Sequence, residues 1–272
     1  MTQLSFKLIS KSQAEPSLNR MRIVCIVQAR MSSTRLPGKV LLPLAGRAVL
    51  AHVLERLSCC LTISEVVVAT SVDASDDVLA QWCLDQGVRL FRGSLNDVLD
   101  RYYRCALSYQ AQAVVRITAD CPALDPTVVD EVVQRFQAGE YDLFYLGGEF
   151  PDGLDCAVFS FSALQRAWRE AQLPSEREHV GPYVVKHPEW FHIGHLDKFK
   201  GLSHHRWTLD EPRDLAFLQS VFERLQRPDG RPFLTQDLLD LLHREPELFQ
   251  VNEGIVRNEG LVKSLAADKV AV

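Results

Sequence analysis

The 272-residue sequence lacks long apolar runs and closely spaced cysteine pairs. Nowhere does it approach the roughly 18 consecutive apolar residues of a membrane-spanning helix, and residues 1–20 have no apolar core of the kind that a signal peptide needs. Its seven cysteines are scattered, odd in number and free of Cys-x-x-Cys spacing. Reduced proteins use cysteine in this way, so we expect no disulfides, no structural zinc, a cytoplasmic location and no membrane partner.

Several catalytic and nucleotide-binding motifs are also missing. The absence of Gly-x-Gly-x-x-Gly argues against a dinucleotide oxidoreductase, and segment 28–39 is not a Walker A loop because Ser33 and Val40 stand where Gly and a hydroxyl residue are required. No Gly-x-Ser-x-Gly elbow surrounds Ser33, so a serine nucleophile is not indicated. The eight histidines lack the spacing of a zinc site.

Acidic residues are absent from one long stretch of an otherwise acidic chain. None lies between Glu15 and Glu55, although the net charge of the protein is −5. The basic residues within that stretch are Arg20, Arg22, Arg30, Arg35, Lys39 and Arg47. No basic helix or aromatic-rich basic surface accompanies them, which argues against nucleic acid as a partner. A small anion is the expected ligand; the alternative is a solvated basic connection.

An apolar β-branched run at 22–27 leads directly into the basic loop 28–39. The run has the length and composition of a buried parallel strand. Backbone N–H groups of a Ser/Gly loop at the end of such a strand, together with arginine forks and a lysine, suit a polyphosphate. The side chains of Arg30, Arg35 and Lys39, and the backbone around Ser32 and Ser33, are therefore candidate phosphate ligands.

Strand-like and helix-like segments alternate from residue 46 to residue 146. Apolar runs at 66–69, 88–91, 114–118 and 141–146 are predicted strands. The segments between them carry helical periodicity, so the sequence predicts an α/β fold with a mostly parallel sheet and a ligand at the carboxyl ends of its strands. Loop 28–39 should meet the turns at 92–94 and 118–122 there.

The alternation breaks between residues 147 and 206, which we interpret as an insertion for a second substrate and for subunit contacts. Residues 206–210 are predicted to return to the sheet, and a helix follows at 212–225. The expected organisation is a flexible extension at 1–20, a main domain at 21–225 and a helical tail at 226–272. The tail is predicted to contain a helix at 236–243 and a polar segment at 252–263.

Two aspartates, Asp120 and Asp210, each follow an apolar run and precede a turn that contains proline. Two carboxylates beside a polyphosphate suit Mg²⁺, although each aspartate could instead cap the following helix. A third acidic turn contains Asp152 and Asp155, which could bind metal, contact a sugar or only shape a tight turn. Ser175 and Glu178 have the spacing of a helix capping box.

The loop Gln28-Ala-Arg-Met-Ser-Ser-Thr-Arg-Leu-Pro-Gly-Lys39 resembles the nucleotide-binding loop of the cytidylyltransferases that make CMP-activated sugar acids. It is similar to the loop of CMP-KDO synthetase and closer to that of the spore-coat polysaccharide biosynthesis protein F group. The resemblance covers most of 21–263 and includes the tail segment 252–260. Before Asp120 the chain reads Arg-Ile-Thr-Ala, like the spore-coat group and unlike the KDO enzymes.

This resemblance implies a Rossmann-like sheet of the nucleotide-diphospho-sugar transferase type. It also implies a cytoplasmic homodimer that uses Mg²⁺ to transfer CMP from CTP to a sugar acid or related sugar, releasing pyrophosphate, for surface polysaccharide biosynthesis. Arg35, Lys39 and Asp120 would be catalytic, and Asp120 and Asp210 would bind the metal. The nucleotide contacts would be Gln28, Ala29, Arg30, Ser32, Ser33, Arg35, Lys39, Gly93, Ser94 and Asp120, and the acceptor contacts Asp152, Asp155, Arg177 and His179.

Two other functions are compatible with the same sequence. One is a sugar-1-phosphate nucleotidyltransferase or a glycosyltransferase of the same fold. The other is a catalytically silent nucleotide-binding subunit, against which the presence of Arg35, Lys39, Asp120 and Asp210 argues. The choice of base and the general base are left open.

Overall fold

The structure is a computed structural model that describes residues 21–227, 229–257 and 259–268. The extension expected at 1–20 lies outside the described residues. The main sheet contains the strands β1 (Ile23–Gln28), β4 (Glu65–Ser71), β5 (Leu90–Gly93), β6 (Ala113–Thr118), β7 (Leu143–Gly147), β8 (Ala157–Ser160) and β9 (Ile193–Asp197). A short antiparallel hairpin is formed by β2 (Pro43–Leu44) and β3 (Arg47–Ala48).

The strands of the main sheet lie in the order β5-β4-β1-β6-β8-β7-β9. All neighbouring pairs are parallel except those of β8, which runs antiparallel to both β6 and β7. The central strand β1 pairs with β4 on one side and with β6 on the other, and Ile23 to Val27 are fully buried. The predicted α/β class with a mostly parallel sheet is confirmed.

Helices cover both faces of the sheet. They are α1 (Val49–Ser58), α2 (Asp77–Asp85), α3 (Val98–Ser108), α4 (Pro126–Ala138), α5 (Phe161–Glu170), α6 (Pro174–His179), α7 (Pro182–Lys186), α8 (Pro212–Leu225), α9 (Thr235–Arg244) and α10 (Glu259–Asp268). Successive residues of β1 point to opposite faces and enter two separate cores. One core packs against α1, α4, α8 and α9, and the other against α3, α5 and α7. No helix in the described ranges is long and apolar enough to cross a membrane.

Segment 206–210 is not a strand of the sheet, so that prediction was wrong. One bridge joins Arg206 to Asp152, the Trp207 N–H donates to the Asp152 carbonyl at 2.6 Å, and the Leu209 N–H donates to the Asp120 carbonyl at 2.8 Å. The segment therefore crosses the carboxyl edge of the sheet. It cannot pair along β6, because β1 and β8 already occupy both sides of that strand.

Helix α6 begins at Pro174, two residues earlier than a cap at Ser175 predicted, and its cap is different. Glu176 accepts the N–H groups of Gln172 and Leu173 at 3.1 and 3.2 Å. The predicted capping box of Ser175 and Glu178 is therefore wrong, because proline at position 174 occupies the first turn and moves the cap upstream. Ser175 instead donates to Asp268 of the tail.

Candidate active site

The basic loop leaves β1 at the carboxyl edge of the sheet. The Gly38 N–H donates to the Met31 carbonyl at 2.9 Å and closes the loop, with Gly38 at a left-handed φ of 70°. The fully buried Asp76 accepts the N–H groups of Met31, at 2.7 Å, and Ser71, at 3.1 Å. This carboxylate fixes the loop beside β4. It was not among the predicted site residues, because nothing local in the sequence marks so distant a contact.

The Lys39 ammonium joins the two predicted metal-binding aspartates. Its Nζ lies 2.6 Å from Asp120 Oδ2 and 2.8 Å from Asp210 Oδ1. Burial alone would lower the pKa of Lys39, but the two carboxylates outweigh it and raise that pKa. Burial likewise opposes the charged form of Asp120, but Lys39 dominates and lowers its pKa to about 2. The fold thus brings three predicted residues from three different segments to one point.

Carboxylates also surround the two predicted arginines of the loop. Arg35 lies 3.1 Å from Asp210, 3.6 Å from Glu211 and 3.3 Å from Glu259. Arg30 lies 3.5 Å from Glu178. Each cation that was predicted to bind phosphate therefore has an anionic partner within the protein.

Arg206 joins three aspartates at the site. Its Nη1 donates to Asp152 and its Nη2 to Asp210, both at 2.9 Å, and it also binds both oxygens of the fully buried Asp214. Burial would lower the pKa of Arg206, but Asp214 and Asp152 reverse the effect and raise it. Arg206 and Asp214 were not among the predicted site residues. The available signal was an arginine next to the strand-like run 207–209.

The predicted acidic turn lies at the same edge, because β8 enters the sheet antiparallel from the end at which β6 leaves it. Asp152 is buried; its pKa is raised to about 7 by burial and by Asp155, against the opposing effect of Arg257 and Arg206. Gly153 adopts a φ of 107° that disfavours other residues. The turn is thus both a tight backbone structure and a wall of the site.

Two adjoining cavities share the wall formed by Arg35, Asp120 and Asp210. The loop cavity, of about 260 Å³, is lined by loop 28–39 and by the start of α10. The wide cavity, of about 560 Å³, is lined by Asp152, Asp155 and His179 among others. The predicted nucleotide contacts in the loop cavity are Gln28, Ala29, Arg30, Ser33, Arg35, Lys39 and Asp120.

Four predicted contacts line neither of these two cavities: Ser32, Gly93, Ser94 and Arg177. Ser94 Oγ accepts the Asp97 N–H at 3.0 Å at the start of α3. Arg177 donates from Nε to Asp97 and from Nη1 to the Trp168 carbonyl at 2.8 Å, so it joins α3, α5 and α6. These two side chains have structural partners that account for their positions.

Arg116 is a cation of the site that was not among the predicted residues. It lies on β6 and lines the wide cavity. Its Nη2 lies 3.5 Å from Gln28 Oε1, while its buried Nε has no hydrogen-bond partner within the described residues. His179 lines the same cavity, and its pKa is lowered by burial and by the charge of Arg116. The departure from the KDO enzymes at 116–119 was the available signal for this residue.

A divalent cation would find a pair of carboxylates, Asp120 and Asp210, in this part of the molecule. Within the described ranges there is no cluster of three or more His, Cys, Asp or Glu side chains that could hold a metal ion. Asp120 and Asp210 nevertheless converge on one positive charge, the Lys39 ammonium. Such a pair fits Mg²⁺, which commonly takes one or two carboxylates and completes its coordination with phosphate and water.

The sequence and the structure were both compared with known proteins. The family model for cytidylyltransferases matches residues 24–222. The chain belongs to the cytidylyltransferase family. This cytidylyltransferase is 32% identical over 235 residues to the spore coat polysaccharide biosynthesis protein SpsF of Bacillus subtilis, covering 83% of this chain and 95% of SpsF. The predicted family and the nucleotidyltransferase class are therefore confirmed.

Solved structures agree with this assignment. A cytidylyltransferase from Leptospira borgpetersenii has a TM-score of 0.80 and 33% identity, covering 87% of this chain and all of that one. The CMP:2-keto-3-deoxy-manno-octonic acid synthetase in complex with CTP has a TM-score of 0.59 and 16% identity over 75% of this chain and 99% of that one. The second likeness shows the shared fold.

Proposed function

We propose that this cytidylyltransferase transfers CMP from CTP to an acidic sugar in a Mg²⁺-dependent reaction that releases pyrophosphate. The single observation that carries the proposal is the meeting of Lys39 with Asp120 and Asp210 where the two cavities adjoin. The name of SpsF and the CTP complex of the synthetase support surface polysaccharide biosynthesis and CTP as the donor. A cytoplasmic homodimer is part of the proposal.

The loop cavity is the proposed site of CTP. Gln28 and Ala29 would contact the base and ribose, and Arg30, Arg35 and Lys39 would contact the triphosphate together with the backbone around Ser33. Preorganised positive charges stabilise the negative charge that shifts to the departing pyrophosphate. Gly93, Ser94 and the side chain of Ser32 are not needed for this arrangement.

Asp120 and Asp210 are the proposed metal ligands. When bound, Mg²⁺ supplies charge neutralisation and orientation of the phosphates. Asp120 and Asp210 would hold the ion, and the Lys39 ammonium beside them would contact a phosphate. Arg206 keeps Asp210 in position from the opposite side.

The wide cavity is the proposed acceptor site. Arg116 is half-buried and forms no ion pair within the described residues, and its buried Nε lacks a hydrogen-bond partner there, which is costly for a polar group. A carboxylate of the acceptor would satisfy it with a charge-assisted hydrogen bond. Asp152, Asp155 and His179 would contact hydroxyl groups, and an acceptor oxygen would attack the α-phosphate from this side.

Thermal stabilisation by each nucleotide is the first test. Because a ligand of the folded state raises the melting temperature, CTP with Mg²⁺ should stabilise the protein more than UTP, GTP or ATP and more than CTP alone. Pyrophosphate release is then measured with a panel of sugar acids and their neutral analogues. If no nucleotide raises the melting temperature, the proposed donor site is refuted. If a nucleotide raises the melting temperature but the protein transfers a sugar from a nucleotide sugar and releases no pyrophosphate, the protein is a glycosyltransferase instead.

Arg116 gives the acceptor proposal its own test. Arg116→Met should raise KM for the acidic acceptor by tenfold or more and leave the stabilisation by CTP unchanged. Arg177→Met serves as the comparison, since Arg177 lines neither cavity. An unchanged KM in Arg116→Met would refute the role of this residue.

A further inference from the structure

The C-terminal helix α10 lies outside the region that defines the family, yet it forms part of both cavities. The family match ends at residue 222, whereas α10 begins at Glu259. Glu259 and Gly260 line both cavities, Leu261 and Leu265 line the wide cavity, and Lys263 lines the loop cavity. The site is therefore completed by an element that the common cytidylyltransferase region does not supply.

The far end of α10 is held firmly to the rest of the protein. The buried Asp268 accepts the Ser175 N–H at 2.9 Å and also the Ser175 hydroxyl. One turn earlier, the Ser264 hydroxyl lies 3.0 Å from His179 Nε2. Both contacts join α10 to α6, so this end of the helix is anchored.

The segment that leads into α10 is anchored as well. The buried Asn252 donates from Nδ2 to Asp214 Oδ1 and to the Arg206 carbonyl, both at 3.0 Å. Arg257 donates to the Phe150 carbonyl at 2.8 Å, and its guanidinium lies over the Phe150 ring at 4.3 Å from the centroid. The start of α10 thus stays close to the carboxyl edge of the sheet.

The near end of α10 meets the basic loop through one ion pair. Glu259 lies 3.3 Å from Arg35, and both side chains are about one-third exposed, at 39% and 32%. Arg35 also faces Asp210 and Glu211, so three carboxylates share one guanidinium. A polyphosphate that binds Arg35 would bring further negative charge to the same point, where Glu259 repels it.

We propose that Glu259 occupies Arg35 in place of a nucleotide phosphate, and that nucleotide binding releases the start of α10 from the basic loop. Asp210 is also a proposed metal ligand and has a second cation in Arg206. The other ion-pair partner of Glu259 among the described residues is the exposed Lys263, at 2.6 Å. Glu259 is therefore the carboxylate that leaves. Because Leu261 and Leu265 follow it, its release changes the wall of the wide cavity. This inference rests on the proposed use of Arg35 in nucleotide binding.

Calorimetric titration with CTP and Mg²⁺ tests the competition directly. Glu259→Gln should bind CTP two- to fivefold more tightly than the wild type, which is the scale of a partly exposed ion pair. Glu247→Gln removes the same charge from an exposed position of the tail and should leave the affinity unchanged. Equal or weaker binding by Glu259→Gln would refute the inference while the proposed donor site stands.

Hydrogen exchange of the amides at 263–266 tests the release of the helix. These amides should exchange faster in the wild type once CTP and Mg²⁺ are added, and faster in Glu259→Gln without nucleotide. Arg35→Gln breaks the same ion pair but keeps the glutamate at the start of the helix. If these amides exchange equally fast in Arg35→Gln and in Glu259→Gln, the loss of a favourable charge at the helix N-terminus is excluded as the cause. If the two variants exchange like the wild type, the inference fails, whether or not any nucleotide binds.

Discussion

Arg206 donates from Nε and Nη2 to the two oxygens of Asp214, at 2.9 and 3.0 Å. Asp214 is fully buried, and it also accepts the N–H groups of Asp210 and Glu211 at 2.9 and 3.0 Å. The pair therefore fixes the backbone that presents Asp210 to the site. Its role is to position a proposed metal ligand.

Arg206→Met should lower the free energy of unfolding by about 3–5 kcal/mol, because it leaves buried carboxylates without their cation. Urea denaturation measures the loss. Arg224→Met breaks the surface pair with Glu245, at 2.6 Å and with both side chains over one-third exposed, and should cost below about 1 kcal/mol. Similar losses in the two variants would contradict the structural role of Arg206.

Gly153→Ala should destabilise the protein by more than about 2 kcal/mol, since it combines backbone strain with a clash. An added Cβ would lie 2.6 Å from the Trp207 carbonyl carbon, at a φ of +107°. Gly201→Ala is the matched control, with a φ of +74° and no atom within 4 Å of its added Cβ. Thermal unfolding of both variants should show the larger loss for Gly153→Ala, and equal losses would exclude the clash.

Lys39→Met should cut pyrophosphate release by about two to three orders of magnitude, as the loss of one preorganised charge does elsewhere. The same variant should bind Mn²⁺ without nucleotide about tenfold more tightly, which corresponds to about 1.4 kcal/mol. The reason is that Asp120 and Asp210 lose the ammonium that now neutralises them.

Titration calorimetry with Mn²⁺ measures this second effect. Lys198→Met, which removes a lysine from a surface pair with Glu131, is the control and should keep the wild-type affinity. Weaker Mn²⁺ binding by Lys39→Met would show that the two aspartates do not form the metal site.

Asp120 should make stability depend on pH in the acid range. Its pKa is about 2 in the folded protein, below the value of about 3.9 in an unfolded chain, so its stabilisation is complete above about pH 4 and is lost as the pH falls toward 2. The Asp120→Asn variant lacks this pH-dependent stabilisation. The difference in unfolding free energy between wild type and variant should shrink by about 1 kcal/mol from pH 6 to pH 3, and a constant difference would contradict the lowered pKa.

The nucleotide half of the fold could be predicted because its signals are local. The apolar run at 22–27 became β1, and the helix predicted at 212–225 begins and ends at those residues. Parallel strands bring their carboxyl ends together, so the meeting of Lys39 with Asp120 follows from the predicted topology. Asp210 joins them on a segment that crosses the edge of the sheet and not on the predicted strand. Loop 28–39 and the turn that carries Asp120 could be recognised as site segments from their local sequence alone.

The rest depended on contacts that the local sequence does not encode. A short run of strand-forming residues, such as Trp-Thr-Leu at 207–209, looks the same within a sheet as across its edge. The start of helix α10 was expected within a polar segment at 252–263, because no strong apolar periodicity marks it. Contacts with Ser175 and His179 hold the helix in place. Asp76 and Asp214 were missed for the same reason, since their partners are set by the tertiary fold.

The reversed direction of β8 has a consequence for how this enzyme can diversify. The loop before β8 carries Asp152 and Asp155 and reaches the wide cavity, while loop 28–39 reaches the loop cavity from the other side of β6. Changes between residues 148 and 156 would therefore act first on the wide cavity, and changes in loop 28–39 on the loop cavity. Under the proposed function, a single framework can in this way keep one nucleotide donor while its descendants acquire different sugars.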